Sequence, residues 1–381
     1  MRLLLFTGKG GVGKTTLAAA TAAGLATRGY KTLVVSTDPA HSLGDAFAQR
    51  LGAEPAEVDH CLHAAQVDSR GLVDDVWQEL RGKLRSALAG AGIDSLDAEE
   101  LTVLPGVDEL LALTEVQRLA ESGRWDVVVV DCGPTAETLR LLALPEAVSG
   151  YLNRMWQVKL AGPRGTVEAV RRLAAHLESL RRLLTDPATT GVRLVLTPER
   201  VVVAEARRTL TSLALRGIRV EGAIVNRLMP APGVWRGAAA SWLRTRRREQ
   251  DAVLAELGGA GLPEFARVEH RAAEPVGLPA LLEISHELYG DQDPLTLKDN
   301  TEAPLLHVSE VDGGYELRVA MPLGPDAALE LARVDDELAI TVDGFRRLIA
   351  LPEALRPCSV TGAASDARGL VVSFTHPGGA E

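Results

Sequence analysis

Two lysines, Lys9 and Lys14, lie five positions apart in FTGKGGVGKTTLAAA (6–20), in a chain with only six lysines against 35 arginines. Gly8-x4-Gly13-Lys14-Thr15 has the spacing of a phosphate-binding loop. It follows an apolar run, LLLF (3–6), and precedes an alanine-rich helix, which is the context such a loop requires. Glycines let the backbone N–H groups of Gly10, Gly11, Val12 and Gly13 converge on phosphate oxygens. The helix start, with Thr16 in its first turn, adds partial positive charge. Lys14 can reach β- and γ-phosphates, and the Thr15 hydroxyl can ligate Mg²⁺. Two carboxylates have matching positions. Asp38 follows TLVVS (32–36) and can hold a water in line with a terminal phosphate, a helix cap or turn aspartate being the lesser reading. Asp131 closes WDVVVVD (125–131), and a carboxylate after four valines needs a cation or hydrogen-bond partners. Its expected role is to orient Mg²⁺. Asn226 ends VEGAIVN (220–226) with donors and an acceptor suited to an adenine edge. The chain has no NKxD guanine motif, so the expected nucleotide is ATP.

These residues need a scaffold that brings strand ends together. TLVVS, WDVVVVD, GVRLVLT (191–197) and VEGAIVN are short β-branched runs, apolar on both faces, as in buried parallel strands. Long helical stretches separate them, for example Val167, Val170, Leu173, Leu177 and Leu180. Strand-helix-strand repetition predicts an α/β, doubly wound, mostly parallel sheet over residues 1–290, with a helical subdomain at about 140–190. DQDPLTLKDNTEAP (291–304) reads as a linker. Beyond it the apolar period becomes two: Tyr315, Leu317, Val319, Met321 and Leu323, then Leu338, Ile340 and Val342, then GLVVSF (369–374). Residues 305–376 are therefore expected to form a small all-β sandwich.

Composition narrows the function classes. At 381 residues the chain can bury a large core, and its 46% hydrophobic content is that of an ordinary globular protein. No apolar run approaches the ~20 residues that cross a bilayer. The opening run, LLLF, is too short for a signal-peptide core, so a cytoplasmic location is expected. The net charge is −10, and residues 303–381 hold 12 acidic and 6 basic side chains. Such an acidic chain is not expected to bind nucleic acid. The basic run RTRRR (244–248) is most simply a solvated helix face. Cys61, Cys132 and Cys358 form no CxxC pair, so neither a disulfide framework nor an all-cysteine metal site is expected.

The loop GKGGVGKT resembles that of the signature-lysine ATPases. STDPAHSLGDAF (36–47) and DCGPTAETLRLL (131–142) resemble the two switches of their arsenical-pump and tail-anchored-protein-targeting branch. LPGVDELLAL (104–113), TPERVVVAEARRTL (197–210) and AIVNRL (223–228) resemble further segments of that branch, in the same order. The resemblance covers about residues 1–290. It implies that Lys9 crosses a homodimer interface to the partner's nucleotide, that Asp38 is the catalytic carboxylate beside Lys14, and that Glu199 contacts nucleotide. From sequence alone Glu199 reads equally as a surface-loop acid. The resemblance further implies an ATP- and Mg²⁺-dependent switch with a hydrophobic client, or alternatively an ATPase that energises arsenite, antimonite or anion efflux with a membrane partner. A transient membrane-associated partner fits either.

The departures matter too. PGVWRGAAASWLRTRRR (232–248) has no cysteine where the eukaryotic targeting enzymes share a zinc, so no zinc is expected. Glu137 replaces the usual switch histidine, and Cys132 reads as a small buried residue. Tyr151, Leu152, Met155 and Trp156 are the large apolar residues of the segment where those enzymes bind their client. DGGYELRVAMPLG, DELAITVDGFRRLIALPEAL and DARGLVVSF resemble the α-crystallin domain of small heat-shock proteins. The tail THPGGAE lacks the I-x-I anchor, so large oligomers are not implied.

Overall fold

The computed structural model describes residues 1–38, 42–67, 107–133, 164–258, 265–296, 306–320, 328–342, 345–366 and 369–376, apart from 232 and 235. The expectations for Glu137, for Tyr151 to Trp156, and for Met321 and Leu323 lie outside these residues, as do parts of the first switch and of the 291–304 segment. An eight-stranded sheet has the order β3-β4-β2-β5-β1-β6-β7-β8. Its strands are β1 (Arg2–Thr7), β2 (Thr32–Ser36), β3 (Ala56–Asp59), β4 (Leu62–Gln66), β5 (Val127–Asp131), β6 (Thr190–Leu196), β7 (Val220–Leu228) and β8 (Phe265–Glu269). β1 and β2 flank β5 in parallel, as β6 and β8 flank β7, while β3 turns back antiparallel along β4. The chain divides into two compact units. Met1–Gly10, Lys14–Thr190 and Pro275–Ser285 form the first, and Gly11–Gly13, Gly191–Glu274 and His286–Glu381 form the second.

In the first unit every residue of β2 and β5 is buried, as expected of β-branched runs covered on both faces. The register pairs Phe6 with Asp131 and Ser36 with Asp131, so three neighbouring strands end at one level. Among the described residues its helices include α1 (Lys14–Thr27), α2 (Ser42–Phe47), α3 (Val107–Glu121) and α4 (Arg164–Thr185). α1 is built of alanine, threonine and leucine and is buried from Leu17 to Ala26, since small side chains allow close approach to the sheet. Leu177, Leu180 and Leu184 of α4 are buried at helical spacing. Between α3 and α4, Thr114 Oγ1 meets His176 Nε2 at 2.8 Å and Gln117 Nε2 donates to Ser179 Oγ at 2.8 Å.

In the second unit, α5 (Arg200–Leu215) follows β6 and α6 (Ala238–Gly258) follows β7. α7 (Leu278–Tyr289), which belongs to the first unit as far as Ser285, closes the α/β part of the chain. β6 breaks the rule for buried strands, because Arg193 is 0% exposed at its centre. Its guanidinium donates to Tyr289 Oη at 2.7 Å and to the Pro294 carbonyl, and it lies 5.5 Å from the Tyr289 ring centroid. A buried charge needs such partners. The segment read as a linker therefore begins anchored: Pro294–Thr296 is a 3₁₀ turn and Pro294 is buried.

The C-terminal strands form two antiparallel sheets. β9 (Leu306–Val311), β10 (Gly314–Val319), β14 (Ser359–Asp366) and β15 (Gly369–Thr375) make one in the order β14-β15-β10-β9, and β11 (Leu329–Val334), β12 (Glu337–Val342) and β13 (Phe345–Ala350) make the other. Leu317, Val319, Leu338, Ile340, Val342, Leu370, Val372 and Phe374 fill the interior by period-two alternation. Ala214 and Leu215, at the end of α5, belong to the same apolar cluster. The sandwich interior is thus shared with a helix of the ATPase-like part, which the change of period did not announce.

Candidate nucleotide site

The end of β5 gathers most of the chemistry in the first unit. Asp131 is 0% exposed. Its Oδ2 accepts from the Thr15 hydroxyl at 2.7 Å and from Ser36 Oγ at 2.9 Å. Ser42 Oγ lies 3.0 Å from Thr15 Oγ1 and donates to it, since the Thr15 proton is committed to Asp131. Lys14 is buried, and its Nζ donates to the Lys9 carbonyl at 3.2 Å, which folds the loop back on itself. Lys9 itself is exposed and Thr16 half-buried. Gly10 has open space around its α-carbon.

The two switch segments are tied at their starts. Thr37 N and Oγ1 both donate to the Asp131 carbonyl, and Thr37 Oγ1 accepts from Gly133 N at 3.2 Å. The Asp38 N–H donates to Ser36 Oγ at 3.2 Å, and its carbonyl accepts from Gln66 Nε2 at 3.4 Å. The half-buried Asp38 is therefore held by its backbone at both ends. Ser36, Thr37 and Ser42 escaped the sequence reading. Their one signal is a hydroxyl residue at the end of an apolar strand or in the turn after it, and many strands end that way.

Burial pushes the Asp131 carboxyl up to about 6. The Thr15 and Ser36 hydrogen bonds and the Lys14 charge pull the other way, while Asp38 adds to the rise. Asp131 Oδ1 is buried without a hydrogen-bond partner among the described residues. An orphaned hard oxygen beside a threonine hydroxyl fits a divalent cation with its waters, so Thr15 and Asp131 are suited to hold Mg²⁺. Cys132 is partly covered, and burial together with the Asp131 charge holds its thiol up at about 12, so it is a neutral thiol.

In the second unit, Asn226 is placed as a brace. Its Nδ2 donates to the Val12 carbonyl at 2.9 Å and its Oδ1 accepts from Arg227 N at 2.9 Å. To reach an adenine edge the amide would have to release Val12. Gly13 sits at φ +95°, and a β-carbon there would lie 2.3 Å from Asn226 Nδ2, so glycine is required twice over. Gly11 is also left-handed, at φ +78°. Glu199 is exposed at the N-cap of α5 and makes no side-chain cap. It lines a groove of about 720 Å³ with Arg200, Thr245, Arg246, Arg248 and Glu249.

Comparison with known proteins agrees with the fold. Residues 1–290 match the family model of the anion-transporting ATPases, and residues 312–374 match that of the HSP20-like domain found in ArsA. Protein Rv2184c of Mycobacterium tuberculosis is 37% identical over 98% of this chain and 96% of its own. A putative arsenical pump-driving ATPase of Prosthecochloris vibrioformis is 34% identical over 93% and 91%. The uncharacterized protein SCO2128 of Streptomyces coelicolor is 34% identical over 98% and 97%. With a phosphate loop on an α/β sheet, a sandwich after it in the chain and both models matched in order, the chain belongs to the ArsA family of anion-transporting ATPases and carries that family's HSP20-like domain.

Proposed function

We propose that this protein hydrolyses ATP to ADP and phosphate as a Mg²⁺-dependent homodimeric switch, and that its nucleotide-dependent closure is coupled to binding of a hydrophobic client in a targeting or chaperone-like role. The observation that carries the reading is the Asp131–Thr15–Ser36 cluster, in which a buried carboxylate keeps one oxygen for a cation. Mg²⁺ held there by Thr15 and Asp131 would neutralise charge on the β- and γ-phosphates. Lys14 leaves the Lys9 carbonyl to pair with the same phosphates. Asp38, fixed through its backbone, orients the attacking water. Thr37 links both switch starts, so a change at the terminal phosphate is felt by both segments at once. Lys9 is exposed, and in a homodimer it would reach across to the partner's nucleotide, where a fixed cation would stabilise the transition state.

The test is phosphate release, nucleotide binding and light scattering for wild type, Asp38→Asn and Lys9→Ala. Asp38→Asn should keep MgATP and turn over at least ~100-fold more slowly. Lys9→Ala should bind ATP nearly normally and lose both turnover and ATP-dependent dimer closure. A wild type that stays monomeric with ATP at full turnover would sink the switch reading. A second reading, ATP-driven efflux of arsenite, antimonite or another anion, draws on the name of relatives such as that of Prosthecochloris vibrioformis. Stimulation of turnover by arsenite or antimonite would favour it.

A further inference from the structure

Asp131 uses its two carboxylate oxygens unequally. Oδ2 accepts from Thr15 Oγ1 at 2.7 Å and from Ser36 Oγ at 2.9 Å, while Oδ1 is buried with no hydrogen-bond partner among the described residues. A hydroxyl present only to satisfy a buried carboxylate would do more at the orphaned oxygen. Ser36 instead shares an oxygen that already has a donor, and its second contact runs elsewhere: Oγ accepts the Asp38 N–H at 3.2 Å. The directions are fixed, because a backbone N–H can only donate. The Ser36 proton therefore goes to Asp131, and a Ser36 lone pair receives Asp38. A hydroxyl whose proton is drawn to a carboxylate accepts more strongly, so the two bonds support each other. Thr15 lies in the first turn of α1, Asp131 ends β5 and Ser36 ends β2. Three hydrogen bonds thus run in series from the phosphate loop to Asp38.

The middle of that series is rigid. Ser36 is buried, its carbonyl accepts from Val67 N at 3.0 Å, and the strand register sets it opposite Asp131. With the backbone held, staggered rotamers leave Oγ few places to go. Gln66 Nε2 steadies the other end of Asp38 through a longer bond, 3.4 Å to its carbonyl. We propose that Ser36 is a positioning residue for ATP hydrolysis: its hydroxyl ties the backbone of Asp38 to the carboxylate suited to the cation, so that the attacking water is aimed only with that carboxylate in place. The inference rests on the roles given above to Asp38 and Asp131.

The test measures phosphate release, MgATP binding and nucleotide-free urea unfolding on the full chain, for wild type, Ser36→Ala, Asp38→Asn and the double variant. Alanine keeps the backbone bonds of the strand, so Ser36→Ala should unfold close to wild type and bind MgATP within about threefold of it. Its kcat should fall about 10- to 50-fold with KM little changed, since the aim of a bound reactant is lost and not its binding. In the Asp38→Asn background the same substitution should slow the residual turnover less than about threefold, because the carboxylate it positions is already gone. Ser36→Cys, with a weak donor and acceptor, should show the same split and serves if alanine disturbs the strand. Equal losses in both backgrounds, or a loss of MgATP affinity that matches the loss of turnover, would make the hydroxyl merely structural and overturn the proposal. Wild-type turnover in Ser36→Ala beside a slow Asp38→Asn would overturn it alone. Asp38→Asn at the wild-type rate would overturn the reading beneath it as well.

Discussion

At the ends of β2, β4 and β5 the buried residues are Ser36, Gln66 and Asp131; in the middle of the sandwich they are Leu317, Ile340 and Phe374. Both sets lie on strands and both are shielded from water. In the first set Ser36 donates to Asp131 and Gln66 donates to the Asp38 carbonyl, and one carboxylate oxygen is left over. The second leaves nothing over and removes apolar surface from water at about 25 cal/mol per Å². A region that stores an unmet electrostatic demand is made to receive a ligand, and a region without one is made to hold its shape. The α/β part is thus locally less stable than it could be, and the sandwich is close to a pure packing solution.

The comparison breaks most visibly at Asp131. Asp131→Asn should lower turnover at least ~100-fold while leaving the unfolding midpoint unchanged or higher, because it removes a desolvated charge along with a cation ligand. A variant that is both inactive and much less stable would mean that the carboxylate holds the fold together. A pH series sharpens the point. The folded Asp131 carboxyl, at about 6, lies above the ordinary value of 3.8. Between these values the native state keeps a proton that the unfolded chain has lost. The contribution of this group to stability therefore grows as pH falls through about 6 and is complete below about 4, reaching about 2 to 3 kcal/mol. Denaturant unfolding of wild type and Asp131→Asn from pH 7 to 4, without Mg²⁺, reads it as a difference, and a flat difference would refute it. Turnover should fall over the same interval as the carboxylate is lost.

Smaller effects test the other side. Ile340→Val should cost about 0.5–1.5 kcal/mol in urea unfolding with ATP affinity unchanged. A matching loss of affinity would show that the sandwich interior is not independent of the nucleotide site. Smallest of all, Val360→Thr on β14, whose eight residues are all exposed, should alter stability by less than about 0.5 kcal/mol.

The same contrast explains what could be read in the sequence. Strands β1, β2, β5, β6 and β7 were legible because burial on both faces leaves near-continuous apolar runs. β10, β12 and β15 were legible because one buried face leaves alternation. β14, SVTGAASD, buries nothing and leaves no pattern. The β3–β4 hairpin and β8 carry too few apolar residues to stand out. In the site, Lys14, Thr15 and Asp131 were legible, since a lysine in a glycine loop and a carboxylate after four valines each break a local rule. Ser36, Thr37 and Ser42 break none, so their bracing role emerges only from the register that brings Ser36 opposite Asp131. Arg193 breaks the strand rule as plainly as Asp131 does, yet its partners Tyr289 and Pro294 lie some hundred residues on, at separations of 96 and 101, beyond local pattern.

α5 begins beside Glu199 and ends with Ala214 and Leu215 inside the apolar cluster of the sandwich. Its 16 residues make a rod about 24 Å long. A tilt of about 10° at its first turn would swing the far end by about 4 Å, several times what a close-packed interior tolerates. The sandwich must then either travel with that end or part from Leu215. The rod would then act as a lever, gearing a small rotation at its exposed end into a larger displacement at the β domain.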